Sequence, residues 1–317
     1  MARKELIEYL SDKLKIQRKE LLEKDIILQT LLAELSAMSL FRDNFAFKGG
    51  TCLIKCYMGY YRFSEDLDFT CLNQKEFSGK SEKEIRRILS GRIDKIADAI
   101  EGISEKSGLE FKNEKHNRKY IELGGSNKFV TFKLWHFSEI LGVETFVKIQ
   151  ISFVEDILFK PKEAIAASLI EKGHEKEINF LFPEYSFLLK LPRLKVYDLK
   201  EIAAEKARAI LTRRGIKARD FVDLFILSKE KGIEVFKLKK EILHKTKFML
   251  KYRKYSDNLL SKDFSLDMES IVSEEEKLML KPLGKDFEAF LKELKPFLEG
   301  IILELKENKQ RKPAIRH

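Results

Sequence analysis

Few cysteines, scattered histidines and the lack of any long apolar run set the first limits on this chain. Cys52, Cys56 and Cys71 are too few and too odd in number for a disulfide framework, which points to a reducing cytoplasm. Cys52 and Cys56 are four apart and so share one face of a helix, but no histidine lies near them in sequence. Both read as core residues rather than metal ligands. None of the five histidines forms an HxH or HxxxH pair. No apolar stretch approaches the ~20 residues that span a bilayer, and the opening MARKELIEYL is charged and helical rather than a signal peptide. Internal repeats and low-complexity tracts are missing too. What remains is a chain of 317 residues, 44% hydrophobic and 35% charged, long enough for about two globular domains. Lys plus Arg number 61 against 51 Asp plus Glu, a formal charge of +10. That excess favours an anionic partner, with nucleic acid ahead of a membrane surface.

The apolar pattern changes character along the chain. Leu6, Leu10 and Leu14, then Ile26, Leu28, Leu31, Leu32 and Leu35, recur at helical spacing and predict two helices in residues 1–40. Residues 81–100 return to a helical pattern behind a Ser start signal. Between Leu109 and Phe153 the segments LEF, KYIEL, FVTFKLWHF and FVKIQISF are rich in β-branched and aromatic residues, with Gly124 and Gly125 as a turn between two of them. Trp135 and His136 fall in one of these strands and take a core or edge role. Pro161, Pro183 and Pro192 punctuate the region that follows, and we place the domain boundary there, giving an α/β domain with a mixed sheet over 1–160 and a helical domain over 161–317. DLKEIAAEKARAILTRR and KARDFVDLFILSKEKG are the two clearest helices of the second part, with three or four more up to Leu305 and a tail that should fray.

The chain is organised around residues 47–69, FKGGTCLIKCYMGYYRFSEDLDF. A short apolar strand (Phe45, Phe47) is stopped by Gly49 and Gly50, a helix opens at Thr51, and a second strand carries Asp66 and Asp68. Two glycines allow a tight turn and close approach of a ligand to the backbone, and a helix N-terminus offers free N–H groups, so phosphate is the expected guest. Thr51, read as the N-cap, either caps its own helix or donates its hydroxyl to a phosphate oxygen. Asp66 and Asp68, two apart on a strand, point to one face and suit a Mg²⁺ ion that also grips a substrate phosphate. Arg62 reaches either a phosphate or a structural partner such as Glu65.

This order of strand, Gly-Gly-Thr, helix, strand and Asp-Leu-Asp resembles the nucleotidyltransferase superfamily, and the wording FKGGTCLIK…RFSEDLDF is most similar to its AbiEii/AbiGii toxin branch. The stretch LKEIAAEKARAILTRRGIKARDFVDLFIL is similar to the later motifs of that family. By that match Lys206 contacts the nucleoside triphosphate, Lys217 and Arg219 lie near phosphates, and Asp220 is the acid of the last motif. Asp223, three residues on, shares a helix face with Asp220, while Phe221, Leu224 and Phe225 supply the buried side. The resemblance also implies a third carboxylate on a later strand. In FVKIQISF that face offers Lys148, Gln150 and Ser152, and Gln150 cannot ionise. Glu144, Glu155 or a carboxylate of the helical domain is then the substitute, unless metal alone activates the attacking hydroxyl.

The expectation is a nucleotidyltransferase-like α/β domain whose helical partner domain completes the active-site cleft. It implies Mg²⁺-dependent transfer of a nucleotide from a nucleoside triphosphate to an acceptor hydroxyl, the tRNA 3′ end being the acceptor the family suggests. Gly49, Gly50, Thr51 and Lys206 cradle the triphosphate, and a separately encoded antitoxin opposes the activity. Two other readings stay open, a protein hydroxyl as acceptor and a catalytically inactive nucleotide- or RNA-binding module.

Overall fold

The computed structural model describes residues 4–170, 174–262, 279–280 and 283–310. It divides into two compact units, residues 1–155 with 161–197, and residues 156–160 with 198–317. Residues 161–197, assigned above to the second domain on proline punctuation, therefore belong to the first unit.

The first unit opens with α1 (Lys4–Leu14), α2 (Lys19–Ala37) and the short α3 (Ser39–Asn44). It then builds a seven-stranded mixed sheet from β1 (Phe45–Lys48), β2 (Asp66–Cys71), β3 (Ile121–Gly124), β4 (Phe129–Ser138), β5 (Val143–Ser152), β6 (Lys162–Ile165) and β7 (Arg193–Val196). The spatial order is β3-β4-β5-β2-β1-β7-β6. β5 runs parallel to β2, and β7 parallel to β1; the other neighbours are antiparallel. Between β1 and β2 lie α4 (Gly49–Leu53) and a π-helical turn, Ile54–Met58, which ends at Gly59. After β2 comes α5 (Glu82–Lys106), started by a capping box in which Ser81 and Glu84 satisfy each other's backbone N–H. Between β6 and β7 lies α6 (Glu175–Leu181).

The period-2 pattern of the strands decides which face is buried. Leu67, Val130, Phe132, Leu134, Val147, Ile149 and Ile151 have almost no exposure and form the core face. Glu23 of α2 accepts a hydrogen bond from Ser138 on that same face, so α2 covers it. Each such side chain contributes about 1.5–3 kcal/mol when fully buried. The polar residues between them, Asp66, Asp68, Thr131, Lys148 and Gln150, stay half-exposed on the other face.

The second unit is helical. α7 (Leu199–Thr212) is capped by Asp198, whose carboxylate accepts from the Lys200 N–H at 2.8 Å. α8 (Ala218–Lys231) ends at Gly232 in the left-handed conformation. α9 (Lys239–Met249), α10 (Arg253–Leu260) and α11 (Lys285–Gln310) follow. The tail expected to fray continues α11 as far as Gln310, and residues 311–317 lie outside the described residues. Among the described residues no helix is long and apolar enough to cross a membrane.

Candidate active site

β1 ends at Lys48, and the chain turns at Gly49 with φ +79°, a value that disfavours any side chain. A second reason reinforces the first. A Cβ on Gly49 would collide with the Asp68 carboxylate, which packs directly on the Gly49 backbone. Gly50 is constrained by space alone, since its Cβ would stand 2.6 Å from Nη2 of the buried Arg62 and 3.2 Å from Ser64 Oγ. The helix begins at Gly49 with Lys48 as N-cap, two residues earlier than the sequence suggested. Thr51 is consequently inside the first turn, buried, with its hydroxyl donating to the Asp66 carbonyl at 2.5 Å. It ties α4 to the start of β2. Arg62 is fully buried and donates to the Phe63 carbonyl at 2.7 Å, so it braces the turn from inside, and Lys24 is ion-paired with Glu65.

Asp66 and Asp68 share the half-exposed face of β2, and the strand register identifies their neighbours. Asp66 is paired with Lys148, whose Nζ is 3.7 Å from Asp66 Oδ1. Asp68 has Lys48 on one side and Gln150 on the other. Gln150 donates to Thr131 Oγ1 at 3.3 Å. The position beside Asp68 thus holds a neutral amide where a third carboxylate was sought. Glu144 does not replace it, being exposed on the hairpin opposite Phe137. Glu155 is nearer but committed. It is ion-paired with the buried Lys48 and accepts from Tyr197 Oη at 2.7 Å and Thr70 Oγ1 at 3.3 Å. Lys48 also donates to Ser152 Oγ at 3.3 Å.

As a donor set, two carboxylates and an adjacent amide fit Mg²⁺, a hard cation that keeps several waters and shares substrate phosphates. They do not make an all-protein cage, and no cluster of three or more His, Cys, Asp or Glu at metal-binding distance occurs among the described residues. The cysteines are unpaired, and burial pushes the Cys52 thiol up, with Cys56 beside it adding to the rise.

The second unit brings together Lys206, Asp220 and Asp223. Lys206 Nζ is 3.0 Å from Asp220 Oδ1 and 2.7 Å from Asp223 Oδ2, and Arg213 pairs with the other oxygen of Asp220. Burial by itself would raise the Asp220 carboxyl, but Lys206 and Arg213 outweigh it and hold the group below the usual carboxylate range. The two aspartates are not a polar face opposite Phe221, Leu224 and Phe225, because α8 is buried without interruption from Asp220 to Leu227. Lys217 is the exposed N-cap residue of α8 and Arg219 is half-exposed.

Sequence reading missed the Lys48–Glu155 pair, because its members are 107 residues apart and each looks like an ordinary surface charge. It also passed over Lys148 as a neighbour of Asp66, although the alternation in FVKIQISF had placed it on the right face.

The AbiEii profile, described as the nucleotidyl transferase AbiEii toxin of a type IV toxin–antitoxin system, matches residues 30–308. No curated protein matches the sequence. Among solved structures, the nucleotidyltransferase toxin MenT4 of Mycobacterium tuberculosis is 20% identical, covers 94% of this chain and 90% of its own, and has a TM-score of 0.58. JHP933 of Helicobacter pylori is 18% identical over 92% of this chain and 95% of its own, with a TM-score of 0.43. At that identity the likeness to MenT4 is one of fold. The profile match spans most of the chain, including the Gly-Gly turn, the Asp66–Asp68 strand and the Lys206 cluster, and the chain belongs to the AbiEii nucleotidyltransferase toxin family.

Proposed function

We propose that this chain transfers a nucleotide from a nucleoside triphosphate to an acceptor hydroxyl, with Mg²⁺ held by Asp66 and Asp68 and a tRNA 3′ end as acceptor. The observation that carries the reading is the placement of both carboxylates on one half-exposed face of β2, with Asp68 seated against the Gly49 backbone. A bound divalent cation would offset the charge that develops on the α-phosphate and the leaving pyrophosphate. Gly49 and Gly50 keep that approach free of side chains, and Thr51 fixes where β2 begins. Lys148, across from Asp66, keeps a positive charge beside the phosphate position. Lys206, Lys217 and Arg219 are the phosphate contacts we assign to the second unit, with Asp220 as its acid. Three free cysteines agree with work in a reducing cytoplasm, and the family name implies a separately encoded antitoxin.

Incubation with each of the four labelled ribonucleoside triphosphates, Mg²⁺ and total tRNA tests the reading beside Asp66→Ala. Label should pass to RNA with the unaltered protein alone. Turnover by an Asp66→Ala, Asp68→Ala variant at the normal rate overturns it. Label on protein instead of RNA moves the acceptor to a protein hydroxyl. The neutral Gln150 beside Asp68 favours one further reading, a nucleotide- or RNA-binding module without turnover. That reading predicts nucleotide binding and no pyrophosphate release with any acceptor.

A further inference from the structure

α9 and the corner that follows it form a surface that the proposed chemistry does not use. Residues 239–254, KKEILHKTKFMLKYRK, carry seven Lys and Arg against one acidic residue, Glu241. Helical geometry sorts them. Ile242, Leu243, Lys245, Thr246 and Met249 are buried, with Lys245 Nζ ion-paired to Glu201 and donating to the Asp156 carbonyl. Lys240, His244 and Lys247 recur at i, i+4 and i+7 and are all exposed, a stripe about 10 Å long at 1.5 Å per residue, and the exposed Lys251 follows in the turn after α9. Arg253 and Lys254 extend it around the corner into α10.

Most of this charge is not spent inside the protein. Among the described residues, Lys240, Lys247, Lys251 and Lys254 have no carboxylate partner. The exceptions are the buried Lys245, His244, whose Nε2 is 2.5 Å from Asp156 Oδ2, Arg253, 3.7 Å from Asp257, and Lys239, paired with Glu304 at 2.9 Å. Aromatic rings are interleaved with the cations. Lys251 Nζ lies 4.6 Å from the Phe248 ring centroid, and the half-exposed Tyr252 and Tyr255 meet edge to face at 6.2 Å. None of the exposed large apolar side chains among the described residues lies on α9, so its stripe lacks the apolar wedge of a membrane-surface helix.

We propose that the Lys240–Lys247–Lys251–Lys254 face binds RNA, the lysines tracking the phosphate backbone and the tyrosines at the corner stacking on unpaired bases. Cations in register with one strand supply sequence-independent affinity through counterion release, and aromatic faces accept any base. A polyanion of this kind fits better than an acidic protein because the rings need flat partners to stack on. The inference rests on the reading of the chain as an enzyme with an RNA acceptor, and gives that acceptor a holding surface on the second unit.

The test is fluorescence anisotropy of the full chain with a labelled single-stranded RNA of about 20 nucleotides, titrated at several salt concentrations. A K240Q/K247Q/K251Q/K254Q variant should bind at least about tenfold more weakly. The slope of log K against log salt should fall by about 3, since each single-strand phosphate contact contributes roughly 0.7. The matching Lys→Arg set keeps the charge and should bind as the unaltered protein does, which separates charge from damage to the fold. Asp66→Ala should leave RNA affinity in place while abolishing transfer, so loss of catalysis and loss of this surface are read independently. Unchanged affinity and slope in the glutamine variant overturns the proposal. So does binding to anionic phosphatidylserine vesicles, or to an acidic peptide, that the four lysines govern while RNA binding does not respond.

Discussion

The carboxylate of Asp68 lies where a side chain on Gly49 would have to be, one residue past the Lys48–Asp68 pair at the end of β1. The residue proposed to hold metal and the residue that opens the turn are thus specified by one another. Gly49→Ala meets both the positive φ and the collision, and should lose about 1–3 kcal/mol of stability together with most transfer activity. In the Gly49→Ala, Asp68→Ala double variant the collision is gone, so its loss in urea unfolding should be smaller than the sum of the two single losses. Simple additivity would mean that the two groups do not compete for that space.

Lys206 neutralises two carboxylates that have almost no exposure. Its replacement by Met removes the ammonium that stands 2.7 Å from Asp223 and 3.0 Å from Asp220, and should destabilise the chain by about 3–5 kcal/mol in denaturant titration. Adding Asp223→Asn should restore part of this. If Lys206→Met instead unfolds like the unaltered chain and loses only triphosphate affinity, the ammonium is a ligand group and not a structural one.

The depressed Asp220 carboxyl gives that cluster a pH dependence. Its folded-state value lies below the ordinary 3.8, so the unfolded chain binds the proton first as acid is added. The contribution is complete above about pH 4 and is lost as pH falls through the folded value. Denaturant midpoints measured from pH 5 to pH 3 should fall more steeply for the unaltered chain than for Asp220→Asn.

His136 acts in a milder range. It is buried on the core face of β4, and neither ring nitrogen has a partner among the described residues. Burial lowers its value from 6.5, with Glu23 opposing and Lys24 adding to the drop. The neutral ring is the one the fold accepts. Stability should be complete above pH 6.5 and decline as pH falls below it, because the unfolded chain then takes up a proton that the folded chain refuses. His136→Leu should flatten the profile between pH 7 and pH 5.

Gln150 supplies the most direct check on the metal reading. Gln150→Asp puts a carboxylate on the rung beside Asp68, and should tighten Mg²⁺ binding several-fold in calorimetry or lower the Mg²⁺ needed for half-maximal transfer. No change in either quantity would place the metal away from this face.

The turn and the Asp66–Asp68 strand were legible in the sequence because every determinant lies within a short segment: a glycine stop, helical spacing, then period-2 alternation. The Ser start of the helix at residue 81 and the face of Gln150 were legible for the same reason. The helix start was misplaced by two residues because a Thr after Gly-Gly looks like a cap, whereas its hydroxyl is taken by the Asp66 carbonyl. β6 and β7, four residues each, carry too little pattern to register as strands, so their membership of the first sheet went unseen. The burial of Asp220 and Asp223 also escaped notice, since charge on a helix ordinarily marks the solvent side. The convergence of Lys206 and Arg213 offsets the cost of burying them.

The pairing of β1 with β7 has a consequence for the birth of the protein. β1 emerges from the ribosome with residues 45–48, but the parallel neighbour that closes its second side is made of residues 193–196. Until then the strand leading into the Gly-Gly turn has β2 on one side and an open edge on the other, able to template pairing with another nascent chain. Long-range closure of this kind is slow, because the intervening loop must be ordered before any contact rewards it. A messenger cut before Arg193 would therefore yield fragments prone to aggregate, and a nucleotidyltransferase whose first unit cannot be completed while most of that unit is already synthesised.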